Sequence, residues 1–204
     1  MTTPETTEIL LPRQRVPQAA PRPSGLAELV ELARGAWPES DADTEPPALA
    51  GFVLSSFSPL VAEAARRCLT RAHGQPPAPG GQATAVIIST TTGDVATALS
   101  VARAVDTGQR LGPLLFFQAV PNAVAGYVAA RWELGGPVLC LSPAGPGDAL
   151  ALALAEGLSA ARLLLADGDA DAALVIAAEQ ATDDGERDRA LAVLVRTEVN
   201  EGVN

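Results

Sequence analysis

Lysine is absent from this chain. All 14 basic residues of the 204 are arginines, which reads as a high-GC coding bias, and 24 acidic residues bring the net charge to −10. A nucleic-acid surface needs a positive field, and no basic stripe with interleaved aromatics is present, so that class of partner is excluded. Aromatics are only 3% of the residues while hydrophobics are 48%, so the core must be built from Ala, Val and Leu, whose small side chains suit close helix–sheet packing. Histidine occurs once, His73, and cysteine twice, Cys68 and Cys140. One His and two distant Cys do not make a metal cluster. Both cysteines lie in apolar segments and are expected reduced and buried. Apolar runs are broken by Gly, Pro or charge short of the ~20 residues of a membrane span. The N-terminal MTTPETTEIL lacks the basic start and apolar core of a signal peptide. A soluble, cytoplasmic protein is expected.

What is present is an alternation of helical and extended patterns. Residues 1–25, rich in Thr, Pro and Arg, read as a flexible lead-in. In GLAELVELARGAW (25–37), Leu26, Leu29, Val30 and Ala33 are spaced helically, which predicts a short helix capped by Ser24. Pro38–Pro47 is an acidic linker. The expected organisation is therefore a lead-in over 1–50, partly disordered, and one folded domain over 51–204. Three acidic clusters, Glu39–Glu45, Asp167–Asp171 and Asp183–Asp188, read as solvated surface.

Ser58-Pro59 predicts a helix start, with Ser58 as cap and Leu60, Ala64, Cys68 and Leu69 on the buried side. His73 lies just past its end, as a surface residue. Ala83–Thr90 is a β-branched apolar run, a buried strand, followed by the turn Thr90–Asp94 and a helix to Val105. That turn fits neither G-x-x-x-x-G-K-[ST] nor G-x-G-x-x-G, which excludes a phosphate loop. Gly112–Phe117 is a short apolar approach to a helix from Pro121-Asn122 to about Leu134. Gly126 inside it costs ~1 kcal/mol relative to Ala, and close approach of another backbone is the expected reason. Val138–Leu141 is apolar at every position, which predicts a strand covered on both faces. Asp148 caps a helix running to Ala166, with Leu150, Leu154, Leu158, Ala161, Leu164 and Leu165 on its apolar side. Ala172–Ala178 and Leu191–Thr197 are further strands. The alternation predicts an α/β domain of three layers, α/β/α, with a mainly parallel sheet.

The bend Ser142-Pro143-Ala144-Gly145-Pro146-Gly147-Asp148 joins the strand Val138–Leu141 to its helix. In α/β enzymes such a place suits a nucleophile, because a helix N-terminus stabilises a thiolate. Cys140, within an apolar strand, reads as a core residue. Ser142 is better placed but has no histidine base. Asp148 reads as a helix cap within reach of such a serine.

Val120-Pro121-Asn122-Ala123-Val124-Ala125-Gly126, Leu134-Gly135-Gly136-Pro137, the strand Val138–Ser142, Asp148-Ala149-Leu150-Ala151 and Asp169-Ala170-Asp171-Ala172-Ala173-Leu174-Val175 occur in the order found in the N-terminal half of β-ketoacyl synthases. Gly51-Phe52 and Ser56-Phe57-Ser58-Pro59-Leu60-Val61, followed by an Ala-rich helix, are similar to that family's early helix. Over about residues 51–180 the chain resembles this thiolase-fold family, and in length it resembles truncated synthase-like proteins encoded with polyene and polyketide synthases. The resemblance implies a half-thiolase fold. It also implies a nucleophilic Cys at a position occupied here by Gly145, with Pro143, Ala144 and Pro146 as neighbours. The family's two histidines, which stabilise the thioester oxyanion and assist decarboxylation, belong to a C-terminal half that would begin beyond this chain's last residue.

The expected function is accordingly that of a non-catalytic ketosynthase-like protein, a pseudoenzyme of polyketide, polyene or fatty-acyl biosynthesis. Its expected partner is a cognate β-ketoacyl synthase or a second copy of itself, as a dimer, with acyl carrier protein as a further candidate. The resemblance makes Val138, Leu139, Cys140 and Leu141 the strand that pairs across a dimer, flanked by Asn122 and Gly126. Two alternatives stay open. One is an acyltransferase or ketosynthase acting through Ser142 or Cys140. The other is a module that binds an acyl chain or pantetheine arm at the Gly147-Asp148 amides, where the Asp148 carboxylate disfavours an anion. No cofactor, metal or membrane partner is expected.

Overall fold

A computed structural model describes residues 28–110, 112, 115, 120–182 and 186–198. The lead-in 1–25, Ser24 and Leu26, most of the segment 112–117, and Asp183 and Asp184 lie outside the described residues.

Five strands form one sheet: β1 (Leu29–Trp37), β2 (Thr84–Ser89), β3 (Val138–Leu141), β4 (Ala172–Glu179) and β5 (Arg189–Thr197), in the order β1-β5-β4-β2-β3. β2 pairs in parallel with both β3 and β4, whereas β5 pairs antiparallel with both β4 and β1. The sheet is thus mixed, which corrects the expectation of a mainly parallel one. The connection from Glu179 to Arg189 is shorter than the dozen or more residues a parallel crossover needs, so β5 returns antiparallel.

Side-chain alternation divides the core. On β2, β4 and β5, Val86, Ile88, Leu174, Ile176, Ala192 and Leu194 face α1 (Phe57–His73) and α3 (Pro121–Trp132). Ala85, Ile87, Ala173, Val175, Val193 and Val195 face the opposite way, toward α4 (Ala149–Asp167). A further helix, α2 (Val95–Asp106), follows β2 and is capped by Asp94, whose Oδ1 accepts from the Thr97 amide at 2.9 Å.

The segment expected as a helix over 25–37 is the strand β1. Its pairing runs from Leu29 opposite Thr197 to Trp37 opposite Ala190, with a bulge between Glu31 and Ala33. Gly35 is buried against α1, where an added Cβ would lie 2.3 Å from the Cys68 amide nitrogen and 2.7 Å from the Ala64 carbonyl oxygen. A distant strand with a free edge overrides the local helical spacing.

α1 begins at Phe57, so Ser58 and Pro59 lie inside its first turn and Ser58 is not the cap. Ser56 holds the cap position, and its side chain makes no cap hydrogen bond. Its hydroxyl bonds to the Asp188 carboxylate at 2.5 Å instead.

The linker acids are not simply solvated. Arg67 donates to both carboxylate oxygens of Asp43 at 2.7 and 2.8 Å, and Arg71 to both of Glu39 at 2.7 Å. Arg67 also lies 4.7 Å over the Trp37 ring. These pairs tie the linker to α1.

α4 is 19 residues long and apolar enough, by length and composition, to cross a membrane, which the sequence reading did not anticipate. Its placement is fixed by the sheet: Ala153, Gly157, Ala161 and Leu165 are buried, and a Cβ on Gly157 would lie 2.5 Å from Val175 Cγ1. The buried stripe is rotated from the expected one, since Leu154, Leu158 and Leu164 are only half-buried along its edge.

Candidate functional site

The bend after β3 holds the frame expected of a nucleophile site. β3 lies beside β2, with Ser89 opposite Leu141, and α4 starts after Asp148. Gly147 has φ +110°, a left-handed conformation that favours glycine, and this turns the chain into the helix. Asp148 Oδ1 accepts from the Ala151 amide at 2.8 Å, and its Oδ2 accepts from Arg189 at 3.0 Å. The Ala151 hydrogen bond, then that of Arg189, lowers the Asp148 pKa. The helix N-terminus therefore already carries an anion, its own cap.

Gly145 is exposed, and a Cβ there would lie 3.3 Å from Leu152 Cδ2. Ser142 is exposed at the strand end, and among the described residues its hydroxyl has no hydrogen-bond partner; Asp148 serves the cap and Arg189 instead. His73 ends α1, on the face of the sheet opposite α4, and does not join the bend. No group of three or more His, Cys, Asp or Glu able to hold a metal occurs among the described residues.

The two cysteines differ. Cys68 is buried on α1, donates to the Ala33 carbonyl at 3.4 Å, and burial pushes its thiol up to about 12. Cys140 is exposed on β3, which corrects the expectation that it is buried. Its thiol donates to Asn122 Oδ1 at 2.9 Å, and desolvation by the surface around it raises its pKa. Neither microenvironment favours a thiolate.

β3 is the last strand of the sheet among the described residues and is not covered on both faces. Leu139 and Leu141 pack half-buried toward the α4 side, while Val138, 43% exposed, and Cys140 face the side of α3. Asn122 and Gly126 are also exposed, one turn apart on α3. A Cβ on Gly126 would meet nothing within 4 Å, so close backbone approach within the chain does not explain that glycine.

A second polar cluster was not read from the sequence. It lies where β2 and β4 end and α1 and α2 begin. The Glu179 carboxylate, buried, accepts from the Thr91 amide at 2.5 Å and from the Thr91 and Thr92 hydroxyls at 2.9 and 3.0 Å. The turn set aside as a phosphate loop thus wraps an internal carboxylate. Gln180 donates to Ser56 Oγ at 2.8 Å, and Ser55 donates to Asp94 at 2.6 Å. The available signal was a charged and a polar residue closing the apolar run of β4. Ser89 Oγ, at the end of β2, is buried and has no partner among the described residues.

No protein-family profile matches the chain, and no curated protein sequence does. Solved structures do. The ishigamide ketosynthase/chain length factor superposes with a TM-score of 0.61 at 21% identity, over 82% of this chain and 50% of that one. A ketosynthase in complex with its chain length factor, from Xenorhabdus doucetiae, gives 0.59 at 16% identity over 86% and 80%. A β-ketoacyl synthase from Burkholderia phymatum gives 0.59 at 15% identity over 84% and 59%. This chain thus spans half the length of the first of these. The mixed sheet with helices on both faces is the thiolase-like fold of the ketosynthases and chain length factors, and in fold this protein is ketosynthase-like.

Proposed function

We propose that this chain is a non-catalytic ketosynthase-like partner in polyketide or fatty-acyl biosynthesis, acting in the cytoplasm and associating through β3 with a catalytic β-ketoacyl synthase. The observation that carries the reading is β3 itself: among the described residues it is an edge strand, and its four residues, Val138 to Leu141, are all apolar. A non-catalytic role is supported by Gly145 at the position where the resemblance implies a nucleophile, by the raised pKa of Cys140, and by a single histidine, His73, which ends α1 and makes no hydrogen bond to Cys140 or Ser142. Among the solved structures of this fold is a ketosynthase bound to its chain length factor, which gives the kind of assembly the reading requires.

The test is co-expression of the tagged chain with each ketosynthase of its own host, followed by affinity capture and sizing. A stoichiometric complex that Val138→Lys dissolves, with the variant's melting temperature unchanged, is the expected result. A chain that remains a monomer beside every one of those ketosynthases refutes the proposal.

A further inference from the structure

On the face covered by α1 and α3, away from the bend, lies an open groove of ≈ 490 Å³. That volume is within the roughly 300–1,000 Å³ of small-molecule sites. Its floor is apolar: Pro59 of α1, with Val128 and Trp132 of α3, all buried. Its rim is polar, with Arg66, Tyr127 and Arg131.

The charges of this groove do not cancel among the described residues. Its one acid among them, Glu63, is buried and accepts from Arg66 at 2.6 and 2.7 Å and from Arg67 at 2.8 Å. Burial alone would raise the Glu63 pKa, but the two arginines outweigh it and hold it low. Arg67 is itself engaged by Asp43 outside the groove. Arg131 makes no hydrogen bond or ion pair among the described residues, and the Tyr127 hydroxyl has none either. A single unmatched guanidinium thus borders an apolar floor in a chain whose net charge is −10.

We infer that this groove binds a small amphipathic monoanion, a carboxylate with an apolar tail. The carboxylate takes charge-assisted hydrogen bonds from Arg131, and the Tyr127 hydroxyl is a second donor on the rim. The tail lies across Val128, Trp132 and Pro59. A cation finds no free acid here among the described residues, and one unmatched arginine neutralises a monoanion but not a phosphate monoester. The inference is independent of the ketosynthase reading.

The full chain is titrated with sodium octanoate and, separately, with 1-octanol, by calorimetry and by tryptophan fluorescence. Saturable octanoate binding at least fivefold tighter than 1-octanol binding is expected. Arg131→Gln, at an exposed position, is expected to erase that preference with an unchanged melting temperature. Arg103→Gln, on exposed α2 surface, is expected to leave binding intact. Absence of saturation with octanoate, equal affinity for the alcohol, a preference that survives Arg131→Gln, or an equal loss in Arg103→Gln overturns the inference.

Discussion

Replacing Gly35 by Ala tests the least anticipated element of the fold, because the two readings of residues 29–37 give opposite signs. In an exposed helix, Gly→Ala stabilises by about 1 kcal/mol, since alanine loses less backbone entropy on folding. In β1, Gly35 stands opposite Ala192 of β5 and is pressed against α1. A methyl there would approach the Cys68 amide nitrogen to 2.3 Å, the Ala64 carbonyl to 2.7 Å and Arg67 Cβ to 2.8 Å. Two of those three atoms are helix backbone and cannot swing aside. Either α1 shifts outward, opening the packing of Leu60, Ala64 and Leu69 on the sheet, or β1 loosens from β5. Overpacking of this kind costs about 1–3 kcal/mol. At about 2–4 °C per kcal/mol for a chain of this size, the melting temperature should fall by roughly 2–12 °C. Thermal and urea unfolding followed by far-UV circular dichroism measure it, and Trp37, at the end of β1, reports the same strand by fluorescence. An unchanged or raised melting temperature for Gly35→Ala refutes the packing of β1 on α1.

Three further outcomes follow from other parts of the fold. Under native conditions at neutral pH, iodoacetamide should modify exposed Cys140 slowly and Cys68 only after unfolding, because burial pushes the Cys68 thiol up to about 12; rapid native labelling of Cys68 contradicts that burial. Glu179→Gln leaves one acceptor oxygen for the three donors of Thr91 and Thr92 and turns an amide group toward them, so it should lose about 1–3 kcal/mol, read as a lower urea midpoint. The hydrogen bond from Arg71 holds the Glu39 carboxyl at about 2, below its ordinary 4.5, so its contribution is complete above the ordinary value and is lost as pH falls toward 2. Melting temperature measured across that window should fall more steeply in the wild type than in Arg71→Gln; parallel slopes would show that the pair does not stabilise the fold.

Where local pattern and tertiary packing agree, the sequence is readable. β2 and β4 are continuous apolar runs because they are inner strands covered on both faces, and their expected limits fall within a residue of those observed. Asp148 caps α4, as residue type alone indicates, and Gly168 ends it in a left-handed conformation. β1 was not, because LVELARGAW contains good helix formers at helical spacing and its partner, β5, is remote in sequence. The direction of β5 depended on connection length, which composition does not weigh. At the site, the bend and its Asp148 helix cap were legible, since they concern which residue stands at one position. The Glu179 network was not, because it needs the ends of two strands and the starts of two helices to meet.

The two edges of the sheet are treated differently, and this contrast bears on what β3 is for. An exposed edge is a template for unwanted pairing, and proteins blunt it with charge, bulges or shortness. β1 has two of these: Glu31 and Arg34 form an ion pair at 2.7 Å on the strand, and a bulge interrupts its register between Glu31 and Ala33. β3 has only its shortness. No charged residue lies in it, its side chains are Val, Leu, Cys and Leu, and the adjacent α3 surface carries the neutral Asn122 and the bare Gly126. The reading of Val138–Leu141 as a strand covered on both faces was therefore wrong about this chain alone, yet it registered the apolar character that a pairing edge needs. Val138→Lys gives β3 the kind of charge that β1 already has. If β3 is an interface, that substitution costs association and leaves the fold intact. If β3 is merely an edge, it changes neither.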